Sequence, residues 1–502
     1  MKKLGLLALS LFSWLVVGQF FAPQKVSADD KIKVVTTFYP VYEFTKAVTG
    51  DQADVSMLMK AGTEPHDFDP STKDVAKISD ADVFVYLDPN METWEPKVIK
   101  SIDKKNLTVI QATGDMLLAP GVAEEEEEGH EGHTHAYDPH VWLSPKRAIT
   151  LVNNIRDALI AKYPDKKDSF TANAKAYTDK LSQLDKEYTE ALSNAKQKSF
   201  VTQHAAFGYL ALDYGLNQIA ISGVSPDTEP SAKRLASLSK YIKKYDIQYI
   251  YFEENASSKV SKTLAKEAGV KTAVLNPLES LTNKELKSGE DYFSVMKENL
   301  KSLKKTTDKA GKEIEPETDT KKTVANGYFK DKDIKNRTLS DWTGDWQSVY
   351  PYLQDGSLDG VWDYKAKSKK DQSAEAYKAY YETGYKTDVS AISINGKKNT
   401  MTFTVNGEKK TYTYTYKGYK VLTYKKGNRG VRYLFEAKEA DAGNFKYIQF
   451  SDHNIAPTKA EHFHIFMGGE SQEKLLEEMD NWPTYYPAKL TGHEIAQEMI
   501  AH

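Results

Sequence analysis

Between residues 31 and about 306, short β-branched and apolar runs alternate with longer stretches in which apolar residues recur every three or four positions. That alternation predicts βαβ units and parallel sheet. The predicted strands are 32–38, 54–59, 82–87 and 107–112, then 199–203, 217–222, 248–253 and 271–275, two sets of four. Between the sets, 145–197 reads as helix, broken only near Tyr163, Pro164 and Asp165. Its second part places Phe170, Ala174, Tyr177, Leu181, Leu184, Tyr188 and Ala191 on one face. A helix over about 165–197 would extend roughly 45 Å and join two α/β lobes as a strut.

The pattern changes after 304–322, a charged linker whose one large apolar residue is Ile314. Beyond it lie 17 of the 31 tyrosines and period-two segments at 401–405, 411–416 and 445–450. Asn395-Gly396, Asn406-Gly407 and 428–430 sit between such segments as hairpin signals. This part is therefore mainly antiparallel β, a barrel or a sandwich, with helices expected at 371–384, 470–479 and 490–500.

Composition narrows the chemistry. A net charge of -3 over 502 residues gives no field that would draw nucleic acid, so no nucleic-acid partner is expected. Lys2 and Lys3, an apolar stretch to about Phe21, and Val26-Ser27-Ala28 form a signal peptide over 1–28, with an uncleaved anchor as the competing reading. The protein is expected to be exported, to the extracellular space or the cell surface. With no cysteine it has no disulfide and no thiolate, so any metal must be held by His, Asp, Glu and water.

Three histidines fall at strand-to-loop or loop positions. His66 lies between Pro65 and the Asp69-Pro70 pair, His140 follows Asp138-Pro139, and His204 ends the strand at 199–203. Proline-stiffened loops at the carboxyl ends of parallel strands are where such sheets bind ligands. An acidic loop, 123–137, carries His130, His133 and His135 and could chelate zinc transiently; a solvated charge run is the plainer reading. A second group, His453, His462 and His464, has a pair two residues apart that a strand would place on one face. Two separate zinc sites are expected, because imidazole and carboxylate are zinc's ligands here.

The segments TEPHDFDPS, DPHVWLSP, FVTQHAAFGY, GVSPDTEPS and NPLES resemble the zinc-binding component of bacterial metal ABC transporters, the cluster A-I group. That resemblance implies two α/β lobes bridged by a long helix, with His66, His140, His204 and Glu279 holding the metal between them. Histidine at 204, where manganese-selective relatives tend to carry an acid, favours zinc. The segments GYFKDKDIKNRTLSDWTGDWQSVYPYL, LDGVWDYKAK and SDHNIAPTKAEHFHIFMG resemble ZinT, a lipocalin-like (calycin) barrel, and imply zinc at His453, His462 and His464. A chain with both modules resembles the AdcA-like family. The implied organisation is 1–28 signal peptide, 29–305 solute-binding domain, 306–322 linker and 323–502 ZinT-like domain. Its partners would be a zinc ABC permease and its ATPase, with the chain itself a monomer. AdcA-like proteins are generally lipoproteins, and the missing cysteine leaves no lipobox, so lipid anchoring is not expected.

Competing functions are a zinc-dependent hydrolase, a surface adhesin and a manganese carrier. His493-Glu494-Ile495-Ala496-Gln497 opens like H-E-x-x-H but has glutamine in the last place, and no G-x-S-x-G or Walker motif occurs. The chain reads as a capture protein without enzymatic activity.

Overall fold

The computed structural model describes residues 31–102, 106–121, 137–223, 232–253, 259–312, 323–324, 326–424 and 427–501. The expected signal peptide, most of the linker and His130, His133 and His135 lie outside the described residues. Among the described residues no helix is long and apolar enough to cross a membrane.

The first lobe is a parallel sheet of β1 (Ile32–Thr36), β2 (Ala53–Met57), β3 (Val83–Tyr86) and β4 (Thr108–Gln111), in the order β2-β1-β3-β4. The second repeats that order with β5 (Ser199–Thr202), β6 (Asn217–Ala220), β7 (Tyr249–Phe252) and β8 (Lys271–Val274), as β6-β5-β7-β8. Each sheet thus has one point where the winding reverses, and a crevice opens there at the strands' carboxyl ends. The central strands read as unbroken apolar runs because helices cover both their faces; β3 is buried at all four positions.

The long helix runs Lys167–Leu192, 26 residues, after helix Pro145–Lys162 and a single 3-10 turn at Pro164–Lys166. It is shorter than the expected 165–197: Ala195 N closes a turn on Leu192 O, and Lys196 N pairs with Thr307 O outside the helix. Its apolar face is embedded rather than free. Phe170, Leu181, Leu184 and Tyr188 join one continuous core with Val34 and Phe44 of the first lobe and Phe200 and Leu303 of the second. The Tyr188 hydroxyl donates to Met296 O at 2.6 Å, fastening the helix to the last helix of the second lobe, Tyr292–Thr307.

The C-terminal part is a closed antiparallel barrel, which settles the barrel-or-sandwich alternative. Its strands are β9 (Gly344–Ser348), β10 (Val389–Asn395), β11 (Thr400–Val405), β12 (Glu408–Thr423), β13 (Arg429–Ala437), β14 (Tyr447–Ser451), β15 (Phe463–Gly468) and β16 (Thr484–Pro487), with β16 closing on β9. Trp346, Tyr433, Phe450, Phe463 and Tyr485 fill the interior. Strand β12 is far longer than the expected 411–416, because a bulge at Gly418, φ +99°, absorbs the break in alternation and lets pairing continue. The helix expected at 470–479 is only Gln472–Leu476. The Arg432 guanidinium draws off the Leu475 and Glu478 carbonyls that a longer helix would use. Helices Asp359–Lys369, Ala374–Tyr385 and Gly492–Ala501 pack on the barrel's outside around Trp362 and Ile495.

Candidate metal centres

Each donor of the first group stands just beyond a strand's carboxyl end or in the loop that follows one. His66 lies in the loop after β2, His140 in the segment leading from β4 to helix Pro145–Lys162, His204 two residues after β5, and Glu279 five residues after β8. Leu278 takes a left-handed backbone, φ +55°, which turns Glu279 inward. The first lobe contributes His66 and His140, the second His204 and Glu279.

Their donor atoms converge. His66 Nε2 lies 3.1 Å from His140 Nε2, and Glu279 Oε1 lies 3.2, 3.3 and 3.5 Å from the Nε2 atoms of His140, His204 and His66. Ligands about 2.0–2.1 Å from a tetrahedral zinc stand roughly 3.3 Å from one another. These four spacings match the edges of such a tetrahedron. His204 Nε2 is buried 3.3 Å from Glu279 Oε1 and, when deprotonated, offers its lone pair to a metal ion.

The opposite ring nitrogens are held by carboxylates. His140 Nδ1 is 2.7 Å from Asp138 Oδ1, which also accepts from the His140 backbone N–H at 2.9 Å, and His204 Nδ1 bonds Glu253 Oε1. Such pairs fix the tautomer and leave Nε2 facing the other donors, as in a carboxylate–histidine–metal arrangement. Burial lowers the His204 pKa, but the Glu253 charge and the hydrogen bonds to Glu253 and Glu279 overcome it and raise it well above the usual range. Burial works against the Glu279 carboxylate too, yet hydrogen bonds from His140, His204 and His66 hold its pKa well below normal. Asp138 and Glu253 were not singled out from the sequence; DPH and the strand end at Phe252-Glu253 carried that signal.

The second group gathers at the end of β14 and the start of β15. Strand β15 begins at Phe463, so His462 precedes it instead of sharing it with His464. The three rings nonetheless stand 5.6–5.8 Å apart, centre to centre. His453 adopts φ +63°, a left-handed turn that swings its ring back toward β15. His464 Nδ1 is 2.7 Å from Thr484 Oγ1, and His462 stacks on Tyr486. Burial, reinforced by the His453 charge, lowers the His464 pKa to about 3. The loop carrying His453 is latched by Arg337, whose side chain is fully buried. It donates to Asp452 Oδ1 at 2.5 Å, Asp341 Oδ2 at 2.8 Å and Thr458 O at 2.7 Å, and stacks on Trp342. Among the described residues these are the two clusters able to hold a metal. His493 takes part in neither; it starts an ordinary C-terminal helix.

Residues 34–306 match the family described as the periplasmic zinc-uptake complex component A, ZnuA, and residues 320–502 match ZinT (YodA), periplasmic, lipocalin-like and zinc-recruiting. The zinc-binding protein AdcA of Streptococcus pyogenes serotype M3 is 66% identical over 515 residues, covering 100% of both chains. The zinc-binding lipoprotein AdcA of Streptococcus pneumoniae R6 is 64% identical over 506 residues, again across both chains. The ZnuA protein of the Bacillus subtilis high-affinity zinc uptake system is 47% identical over 60% of this chain and 97% of its own. The crystal structure of Zn(II)-bound AdcA from Streptococcus pneumoniae superposes with a TM-score of 0.85 at 64% identity, covering 94% of this chain and 100% of that one.

Proposed function

The chain belongs to the AdcA family of zinc-binding proteins, a ZnuA-type domain joined to a ZinT-type domain, and from that premise we propose that it captures zinc at two centres and passes it to a membrane permease. High-affinity zinc uptake is the family's work, in company with an ABC permease and ATPase. In this reading His66, His140, His204 and Glu279 hold the transported ion. The observation that carries it is the 3.1–3.5 Å spacing of their donor atoms. Three neutral imidazoles and one carboxylate leave a bound Zn²⁺ with one net positive charge, and imidazole suits zinc over manganese.

Each lobe supplies two donors. A change of about 1 Å in lobe separation would carry two ligands out of bonding range, a direct route to release, since zinc–ligand distances vary by only about 0.2 Å. His453, His462 and His464 hold a second ion, with one coordination position left for water or an incoming ligand. Tethering that centre to the two-lobed domain over 306–322 raises the local zinc concentration beside it. The protein acts as a monomer without enzymatic activity, exported to the cell surface, where the pneumococcal relative is named a lipoprotein. Growth under zinc limitation tests the proposal. A strain whose uptake depends on the His66→Ala/His204→Ala chain is expected to stop growing without added zinc and to recover with it. Undiminished growth would contradict the assignment.

A further inference from the structure

The barrel touches the two-lobed domain at the base of the loop that leads into His140. Gln497, on the last helix of the barrel domain, accepts from Leu118 N at 2.8 Å and donates to Leu118 O at 2.7 Å, and its side chain also reaches Tyr137. Leu118 and Tyr137 stand on facing strands of a short antiparallel bridge, Pro120 opposite Tyr137, with Asp138 N donating to Ala119 O at 2.9 Å. Tyr209, fully buried, joins the same two strands from below. Its hydroxyl accepts from Ala119 N at 2.8 Å and donates to Asp138 O at 2.6 Å. The Asp138 carboxylate in turn fixes the His140 backbone and ring. A second line from the barrel reaches Tyr209: Lys367 pairs with the buried Asp213 at 3.5 Å, Asp213 holds Arg147 at 2.7 Å, and the Arg147 guanidinium lies over the Tyr209 ring at 4.5 Å.

We propose that the barrel domain positions the metal centre of the two-lobed domain, with Gln497 and Tyr209 as positioning residues that hold Asp138, and through it the His140 imidazole, in place. The inference rests on His140 being a zinc ligand. Neither residue touches the ion. Both lie on the chain of contacts that runs from the barrel to a donor of the first centre, and a loosened Asp138 lets the His140 ring wander from the tetrahedral position that the other three donors define. The barrel therefore does more than gather zinc: it sets how tightly its neighbour holds it.

The test uses the full chain with His462→Ala/His464→Ala as background, so that one centre is read. Zinc affinity and dissociation rate are measured by chelator competition for Gln497→Ala, Tyr209→Phe, the pair, and Lys370→Ala. Lys370 also bridges the domains, through Asn217 at 3.0 Å, without touching the path. Each path variant is expected to weaken binding about threefold to tenfold, less than the 10–100-fold typical of a group bonded directly to a ligand. The pair is expected to be no weaker than the worse single variant, because both act through Asp138. Lys370→Ala should match the background, and the thermal midpoint should stay constant. Background-level affinity in Gln497→Ala and Tyr209→Phe would overturn the proposal, as would an equal loss in Lys370→Ala, which would reduce the effect to domain docking. A background chain that binds no zinc would overturn the ligand assignment itself.

Discussion

His140 and His204 each give one ring nitrogen to a carboxylate and turn the other toward the first centre, so the geometry of that centre is set by groups beside the four donors as well as by the donors themselves. Asp138→Asn keeps the shape but removes the charge that makes His140 a stronger donor; zinc affinity at the first centre should fall about 10–100-fold in a competition titration. The two centres should also part company with pH. Zinc binds neutral imidazole. Opposing the effect of burial, hydrogen bonds to Asp138 and Glu279 raise the His140 pKa, and Glu253 raises that of His204, whereas burial lowers His464 to about 3. A raised pKa lets protons compete at higher pH, so as the pH falls the first centre should lose zinc before the second, followed by a metal indicator in single-centre variants. The reverse order would contradict these assignments of charge. The three histidines were legible in the sequence as candidates because each sits in a short loop stiffened by proline or ending a strand, whereas Glu279 came only from the resemblance carried by NPLES. Their carboxylate partners were not, since Glu253 meets His204 only once β7 lies beside β5.

At the scale of elements, short β-branched and apolar runs placed all eight strands of the lobes to within a residue or two, because buried parallel strands are short apolar runs bounded by turns. The misses have local causes. Asn406 and Gly407, φ +51° and +83°, form the two-residue hairpin that their types announce. At Asn395-Gly396, by contrast, Asn399 takes the left-handed position, and Gly396 is needed because a Cβ there would stand 2.4 Å from Ser340 Cα. Gly418 and Arg432 extend one strand and cut one helix through contacts that no local pattern records. Arg337 went unnoticed for the same reason, although it latches the His453 loop to the barrel wall. Arg337→Ala leaves the Asp452 carboxylate buried and unpaired, a loss of about 3–5 kcal/mol. The barrel's thermal transition should drop accordingly in calorimetry, and zinc should leave the second centre while the first keeps its ion.

For the whole molecule, the two lobes and their bridging helix share one core, so the first centre sits between sheets packed on a common interior. The docking of barrel on lobes was illegible in the sequence. No local pattern marks Leu117, Lys367, Lys370 and Gln497 as contacts, and only complementary surfaces in three dimensions bring them to Gly360, Asp213, Asn217 and Leu118. The number of ions the chain holds, and where, is the claim on which the rest depends. Competitive zinc titration of the metal-free protein should give two tight ions, one lost in His66→Ala/His204→Ala and the other in His462→Ala/His464→Ala. One tight ion that survives both pairs of substitutions, or none in the parent chain, would contradict the account.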